Sequence, residues 1–176
     1  MINDLSVRPH AQNKRADRIF YTLLIVALGF VFASYLAERY RGLISLGAAI
    51  AVVIALVIYN RYMSGEYSYE VVTGYSDVPL FIVRRTVGKK TTTLFNAELS
   101  AIAALDVIDA GASVDIPKDA RKYNFCPTLG AVRRAKITVK TRYEQAAIFI
   151  EGSDEFFALL SQYASEAREL FSDDEE

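Results

Sequence analysis

Two long apolar runs near the N-terminus constrain this chain more than any other feature. Ile19 to Leu36 (IFYTLLIVALGFVFASYL) contains no charged residue, and Leu43 to Tyr59 (LISLGAAIAVVIALVIY) repeats the pattern. At ~1.5 Å rise per helical residue the first run covers about 27 Å, close to the hydrocarbon thickness of a bilayer. Each run is apolar all round rather than along one stripe, the pattern of a membrane span and not of an amphipathic core helix. Only Ala37-Glu38-Arg39-Tyr40-Arg41-Gly42 separates them, so they are expected to form an antiparallel hairpin. Tyr21, Tyr35, Tyr40, Tyr59 and Tyr62 sit near its boundaries, where interfacial aromatics collect. A cleaved signal peptide is not expected. Its apolar core would be shorter, a small-x-small site would follow, and no second span would come after it. The expected organisation is an N-terminal segment (1–18), a transmembrane hairpin (19–60, spans 19–36 and 43–59), a soluble domain (65–171) and an acidic tail (172–176).

The flanking charges set an orientation. Arg8, Lys14, Arg15 and Arg18 precede the first span and Arg61 follows the second, against Arg39 and Arg41 in the link. The positive-inside rule then places both termini and the soluble domain in the cytoplasm, in an integral protein of the cell membrane. Neither span carries an ionisable acid or base, so a channel or transporter role has no support. Small residues recur every four positions, at Gly29, Ala33 and Ala37 in the first span and at Gly47, Ala51 and Ala55 in the second. Residues four apart share a helix face, and small side chains let backbones approach. These six are therefore candidates for helix packing, within the hairpin or against a partner helix.

Beyond the hairpin the hydrophobic period shortens to two. Tyr67, Tyr69 and Val71 alternate with Ser68 and Glu70; Pro79 to Val87 (PLFIVRRTV) and Thr91 to Phe95 flank the basic turn Gly88-Lys89-Lys90, where glycine suits a positive φ. A turn is expected at Gly74-Tyr75-Ser76-Asp77. Ile102 to Ile108 fits helix by its alanines and strand by its setting. Asp109 to Arg121 reads as a loop, and further strands are expected at Lys122 to Cys126, Ala135 to Arg142 and Ala146 to Glu151. Ser153 is then a helix N-cap with Asp154 and Glu155 in the first turn, and Phe156, Leu160, Tyr163, Ala167 and Leu170 share one face. About seven antiparallel strands and one closing helix predict a mainly β domain, a bent sheet or partly open barrel capped by the helix.

The segments YSYEVV, FIVRRTVGKKTTTLF and AELSAI, then KYNFCPTLG, a strand pair and IEGSDEFFALL, resemble the membrane-attached pleckstrin-homology-like (PH-like) domains of bacteria. In particular they are similar to a small family of that kind with no assigned activity. The resemblance covers roughly Gly65 to Leu170 and implies a PH-like fold; fold alone does not imply function. Phosphoinositide-binding members cluster basic residues around the first hairpin, whereas Gly74 to Val78 here carries Asp77 and no Lys or Arg. The basic residues come one hairpin later, at Arg84, Arg85, Lys89 and Lys90, with further sets at Lys118, Arg121 and Lys122 and at Arg133 and Arg134. The first four are the candidate lipid-facing residues for anionic headgroups. The bland alternative is a solvated strand face that blunts an exposed edge.

Other chemistries find little footing. A net charge of −1 gives no basic domain, so a nucleic-acid partner is not expected. The one cysteine, Cys126, excludes an intramolecular disulfide, and the one histidine, His10, lies outside the soluble domain and leaves Cys126 without a base. No Gly-rich phosphate loop, Gly-x-Ser-x-Gly elbow or metal-spaced His/Cys set occurs. Asp106, Asp109 and Asp115 are the nearest carboxylate group and read as exposed loop acids. No catalytic, metal or cofactor residue is assigned. The expected function is a membrane-tethered interaction or scaffold module that binds a protein partner, and not an enzyme. Its alternatives are a peripheral sensor of anionic lipid and an enzyme of unrecognised type. Tethering raises effective concentration, so weak contacts at a sheet edge beside the last helix would suffice.

Overall fold

A computed structural model describes residues 5–9, 13–74, 78–130, 132–141 and 144–172. The predicted turn at 75–77, His10, Arg142 and the acidic end from 173 onward lie outside the described residues. The chain divides into two compact units.

The first unit is helical. Helix α1 (Lys14–Leu36) and helix α2 (Arg41–Ile58) are joined by one 3-10 turn (Glu38–Tyr40), and α2 ends in a π turn (Tyr59–Met63) closed by Ser64 N–H on the Tyr59 carbonyl at 2.9 Å. Both helices are long and apolar enough to cross a membrane. Their large side chains point outward: Ile25, Leu28 and Phe32 are 69% exposed and Leu36 75%. A soluble core helix would bury these side chains, because each is worth about 1.5–3 kcal/mol out of water. The buried positions are small ones, Ala27 and Ser34 on α1 and Ala48, Ala51 and Ala55 on α2. The Ser34 hydroxyl donates to the Val31 carbonyl at 2.7 Å, which keeps a polar group satisfied at that depth.

At the base of the hairpin Asn13 works as a clamp. Its side-chain amide donates to the Tyr62 carbonyl at 2.7 Å, and its side-chain oxygen accepts the Leu129 N–H at 3.0 Å. Its carbonyl also takes the first helical bond, from Asp17 N–H at 2.9 Å. One residue thus ties the start of α1, the exit of α2 and the segment Thr128–Gly130, which belongs to this unit.

The second unit holds two four-stranded sheets. Sheet A comprises β1 (Leu5–Val7), β2 (Glu66–Thr73), β3 (Pro79–Val87) and β4 (Lys90–Glu98), in that spatial order and antiparallel throughout. The β3–β4 turn needs Gly88, whose φ is +60°. A bulge between Val83 and Arg84 leaves Leu94 as the extra residue on β4. A 3-10 turn (Leu99–Ala101) carries the chain into sheet B, which comprises β5 (Ile102–Ile108), β6 (Arg121–Asn124), β7 (Arg134–Lys140) and β8 (Gln145–Ile150). Its order is β5-β7-β8-β6, and β6 runs parallel to β8.

The inward residues of both sheets form one core. Tyr67, Tyr69, Val71, Phe81 and Val83 meet Ile102, Ala135, Ile137, Ile148 and Ile150, all at most 1% exposed. Helix α3 (Asp154–Ser172) closes it with Phe156, Phe157, Leu160, Ala164 and Ala167. The Ser153 hydroxyl accepts the Phe156 N–H at 3.2 Å and starts that helix. Tyr69 binds the pieces together. Its hydroxyl donates to the Phe125 carbonyl at 3.0 Å and accepts the Glu151 N–H at 3.4 Å. Burial holds its pKa well above the ordinary tyrosine range.

Several expectations need correction. Eight strands are described, not seven, because Leu5–Val7 pairs with β2 and extends sheet A. The strands are not uniformly antiparallel, since the long β5–β6 connection brings β6 to the far edge in the direction of β8. Ile102–Ile108 is strand. The strand expected to reach Cys126 stops at Asn124, whose side-chain oxygen accepts the Cys126 N–H at 3.1 Å and turns the chain. Leu170 is 64% exposed, and Phe157 and Ala164 share in the buried face of α3. The connection 109–120 is no simple exposed loop. Its Val114 and Ile116 pack on Ile108, Cys126, Ala147 and Phe149 in a second small core.

Candidate functional site

The candidate lipid-facing residues are not gathered into one site. Arg84 Nη1 lies 2.8 Å from Glu70 Oε2, and Ser68 donates to the other Glu70 oxygen at 3.0 Å. Arg85 is half-buried with its guanidinium 5.8 Å from the centre of the Tyr67 ring. Lys89 and Lys90 stand exposed at the hairpin tip. Of the later basic sets, Lys118, Arg121 and Lys122 are exposed. Arg121 pairs with Glu144 at 2.8 Å, and Arg133 pairs with Asp154 at 2.8 Å and lies 3.6 Å from Asp109. Lys122 and Arg134 lie 5.4 and 5.0 Å from the centre of the buried Phe149 ring. Arg84, Arg85, Arg121, Lys122, Arg133 and Arg134 thus each meet a carboxylate or a ring face within the domain.

The packing candidates divide in the same way. Ala51 and Ala55 are buried, Ala33 and Ala37 are half-buried, and a side chain at Gly47 would touch the Phe30 ring at 3.5 Å. Gly29 is exposed, with nothing within 4 Å of where its Cβ would stand. The acids Asp106, Asp109 and Asp115 do not converge either. Asp106 accepts Lys136 at 2.8 Å, Asp109 faces Arg133, and Asp115 is exposed. Cys126 is buried in the second core. Among the described residues no group of three or more His, Cys, Asp or Glu is placed to hold a metal ion.

A cleft of about 880 Å³ opens in the β unit along the free edge of sheet A. Its wall on one side is β4, through Phe95, Asn96, Ala97 and Glu98; Tyr123 of β6 and the β7–β8 end with Lys140, Thr141 and Glu144 line the other. Its volume is within the usual range of ligand pockets, about 300–1,000 Å³. Three aromatic rings make one layer beneath it. Phe95 lies 5.8 Å from Tyr123 and 6.2 Å from Phe125, and Tyr123 stacks on Phe125 at 6.0 Å with an 11° interplanar angle.

The cleft exists because each sheet ends there. β4 is the last strand of sheet A and β6 the last of sheet B. The bulge at Leu94 bends β4 at the point where Phe95 turns inward. The small residues Ala97, Ala101 and Ala146 leave room above the rings. On the β6 side the exposed Arg121 guanidinium pairs with Glu144 at 2.8 Å, and a hydrogen bond with Tyr123 and then the Glu144 charge raise its pKa. On the β4 side Ser100 donates to Glu98 Oε2 at 3.4 Å. The arrangement offers an apolar floor, a strand edge and a carboxylate rim, a set suited to holding a chain in extended form.

The sequence suggests a sheet edge beside the last helix; the cleft lies at a sheet edge, but no residue of α3 lines it. Phe95 and Tyr123 each read only as one more strand aromatic. The usable signal is the run Thr91-Thr92-Thr93-Leu94 before Phe95, exposed throughout, since a strand exposed on both faces is an edge strand. Neither family models nor curated proteins nor solved structures yield a match to this chain.

Proposed function

We propose that the chain is a membrane-tethered interaction module, with a PH-like domain held at the cytoplasmic face of the cell membrane and offering its β4 cleft to a protein partner. The observation that carries this reading is the cleft itself, an open and aromatic-floored groove beside a strand edge with no neighbour. The outward apolar surface of the two helices supports the membrane anchor. A second support for orientation is the pairing of β1 with β2. β1 precedes the first span and β2 follows the second, and strands that pair lie on one side of the bilayer. The excess of basic residues at those two flanks over Arg39 and Arg41 makes that side the cytoplasm.

The PH-like assignment rests on two sheets closed by a C-terminal helix. The parallel β6 and the added β1 are departures from a simple antiparallel succession. A lipid-sensing role has less behind it, because Arg84 and Arg85 are engaged within sheet A. Catalysis is not part of the proposal: Glu70, Glu144 and Asp106 are each held by a cation, and Asp109 and Asp154 share Arg133.

Affinity purification from native membranes tests the proposal, comparing the full chain with a version truncated after Ser64. A protein recovered only with the full chain is expected. If correctly inserted full-length protein recovers no domain-dependent protein, the interaction reading fails. Salt-sensitive binding to anionic vesicles, lost on Lys89→Glu/Lys90→Glu, would replace it with the lipid reading.

A further inference from the structure

The cleft constrains what its occupant can be, given that the chain is a tethered interaction module. We infer that the occupant is an extended protein segment that adds as a strand to the free edge of β4. It sets an aromatic or aliphatic side chain against Phe95 and Tyr123 and directs a lysine or arginine to Glu98.

Three observations lead there. β4 has β3 on one side and no strand on the other, so the outward half of its main-chain N–H and C=O groups has no strand partner, and its last four residues, Phe95 to Glu98, line the cleft. An added backbone matches such groups one for one, whereas an acyl chain or a flat apolar molecule would leave them facing hydrocarbon. The floor is apolar but narrow in kind, two half-buried rings 5.8 Å apart with alanines beside them. A single inserted side chain fills that space; the rest of the volume runs along the strand.

Charge decides the polarity of the segment. Glu144 on the far rim is already neutralised by Arg121 at 2.8 Å. Glu98 has no ion pair among the described residues and is oriented by Ser100 at 3.4 Å. It lies on β4 itself, so a residue of the added strand is its nearest neighbour, and opposite charges across adjacent strands stabilise the pairing. Lys140, at the end of β7 on the opposite wall, meets the outer side of the segment and suits an acidic residue there.

The test is a selection of random ten-residue peptides displayed on phage against the full-length protein in lipid nanodiscs, after depletion on empty nanodiscs. The recovered sequences should share a bulky apolar residue at fixed spacing from a lysine or arginine. Selection on Glu98→Lys should replace that basic residue with an acidic one, a change a merely structural role for Glu98 would not produce. In the best peptide, N-methylation of backbone nitrogens on the β4-facing register should weaken binding at least about tenfold, and on the other register should not. Phe95→Ala should weaken it by about as much; Glu98→Lys, at the surface, carries the test if that variant does not fold.

Peptides indifferent to Glu98→Lys and to N-methylation would overturn the inference. No enrichment in a sample that still captures a protein from membranes would overturn strand addition while leaving the module intact, and point to a folded partner surface. No enrichment together with no capture would end both.

Discussion

Removing the Tyr69 hydroxyl separates the chemistry of that side chain from its bulk. In Tyr69→Phe the ring keeps its place, stacked 6.2 Å from Phe156, and no cavity opens. Two partners lose their counterpart, the Phe125 carbonyl at 3.0 Å and the Glu151 N–H at 3.4 Å. Tyr69 is fully buried, so water does not replace the oxygen. An unsatisfied buried group costs about 1–3 kcal/mol, and the second bond is long, which puts the total near 2 kcal/mol. Pulse proteolysis of the full-length protein in nanodiscs across a urea series reads that difference as a lower midpoint. A second arm uses pH. Burial raises the folded pKa of Tyr69, so its contribution is complete below the unfolded value of about 10 and declines as pH climbs toward the folded value. The unfolded chain then releases a proton that the folded one keeps, and stability falls by about 1.4 kcal/mol per pH unit for that one group. The substituted protein should lack this part of the alkaline loss. Equal midpoints at neutral pH, or parallel losses above pH 10, would refute the reasoning.

Three further substitutions test separate parts of the fold. Asn13→Ala removes both arms of the clamp at the hairpin base and should cost about 1–3 kcal/mol, read as an earlier loss of helicity in a detergent titration. Gly47→Leu should loosen the hairpin, because the Phe30 ring already lies 3.5 Å from where its Cβ would stand; Gly29→Leu, with open space around it, should not. The contrast is measured as protease susceptibility of the link, and equal effects would remove the assignment of packing faces. Gly152→Ala would place its Cβ 2.9 Å from Phe156 Cδ1 and 3.0 Å from Phe157 Cε1. Both rings are 2% exposed and cannot yield, so a loss of about 1–3 kcal/mol is expected in thermal proteolysis.

Where period and punctuation agree, the sequence is legible. Pro79–Val87 has the bounds its alternation predicts, and Gly88 turns the chain with the positive φ that a two-strand connection needs. Ser153 caps α3 because a hydroxyl, two acids and an apolar stripe occur in the right order. Features made by distant pairing are not legible. Leu5-Ser6-Val7 is three residues in a polar stretch, and nothing local announces that it pairs with Tyr69 to Val71. Val114 and Ile116 look like loop residues until sheet B supplies the apolar face they cover. The cleft is harder still, for its wall comes from β3, β4, β6, β7 and β8, and its lining rings, Phe95 and Tyr123, from strands far apart in the chain. Equally, Arg84 reads as a free cation until β2 pairs with β3 and sets Glu70 beside it.

The pairing of β1 with β2 has a consequence for how the protein is made. Val7 lies opposite Tyr69, and everything between them, both spans included, occupies the place that a short turn holds in an ordinary hairpin. Sheet A gains its outermost strand only after α2 has been synthesised, so Leu5–Val7 wait through the synthesis of both apolar helices for their partner. The same arrangement makes the anchor removable. With a short loop in place of residues 10–65, the two strands would be joined as a simple β-hairpin, and sheet A would keep all four of its strands without the two apolar helices.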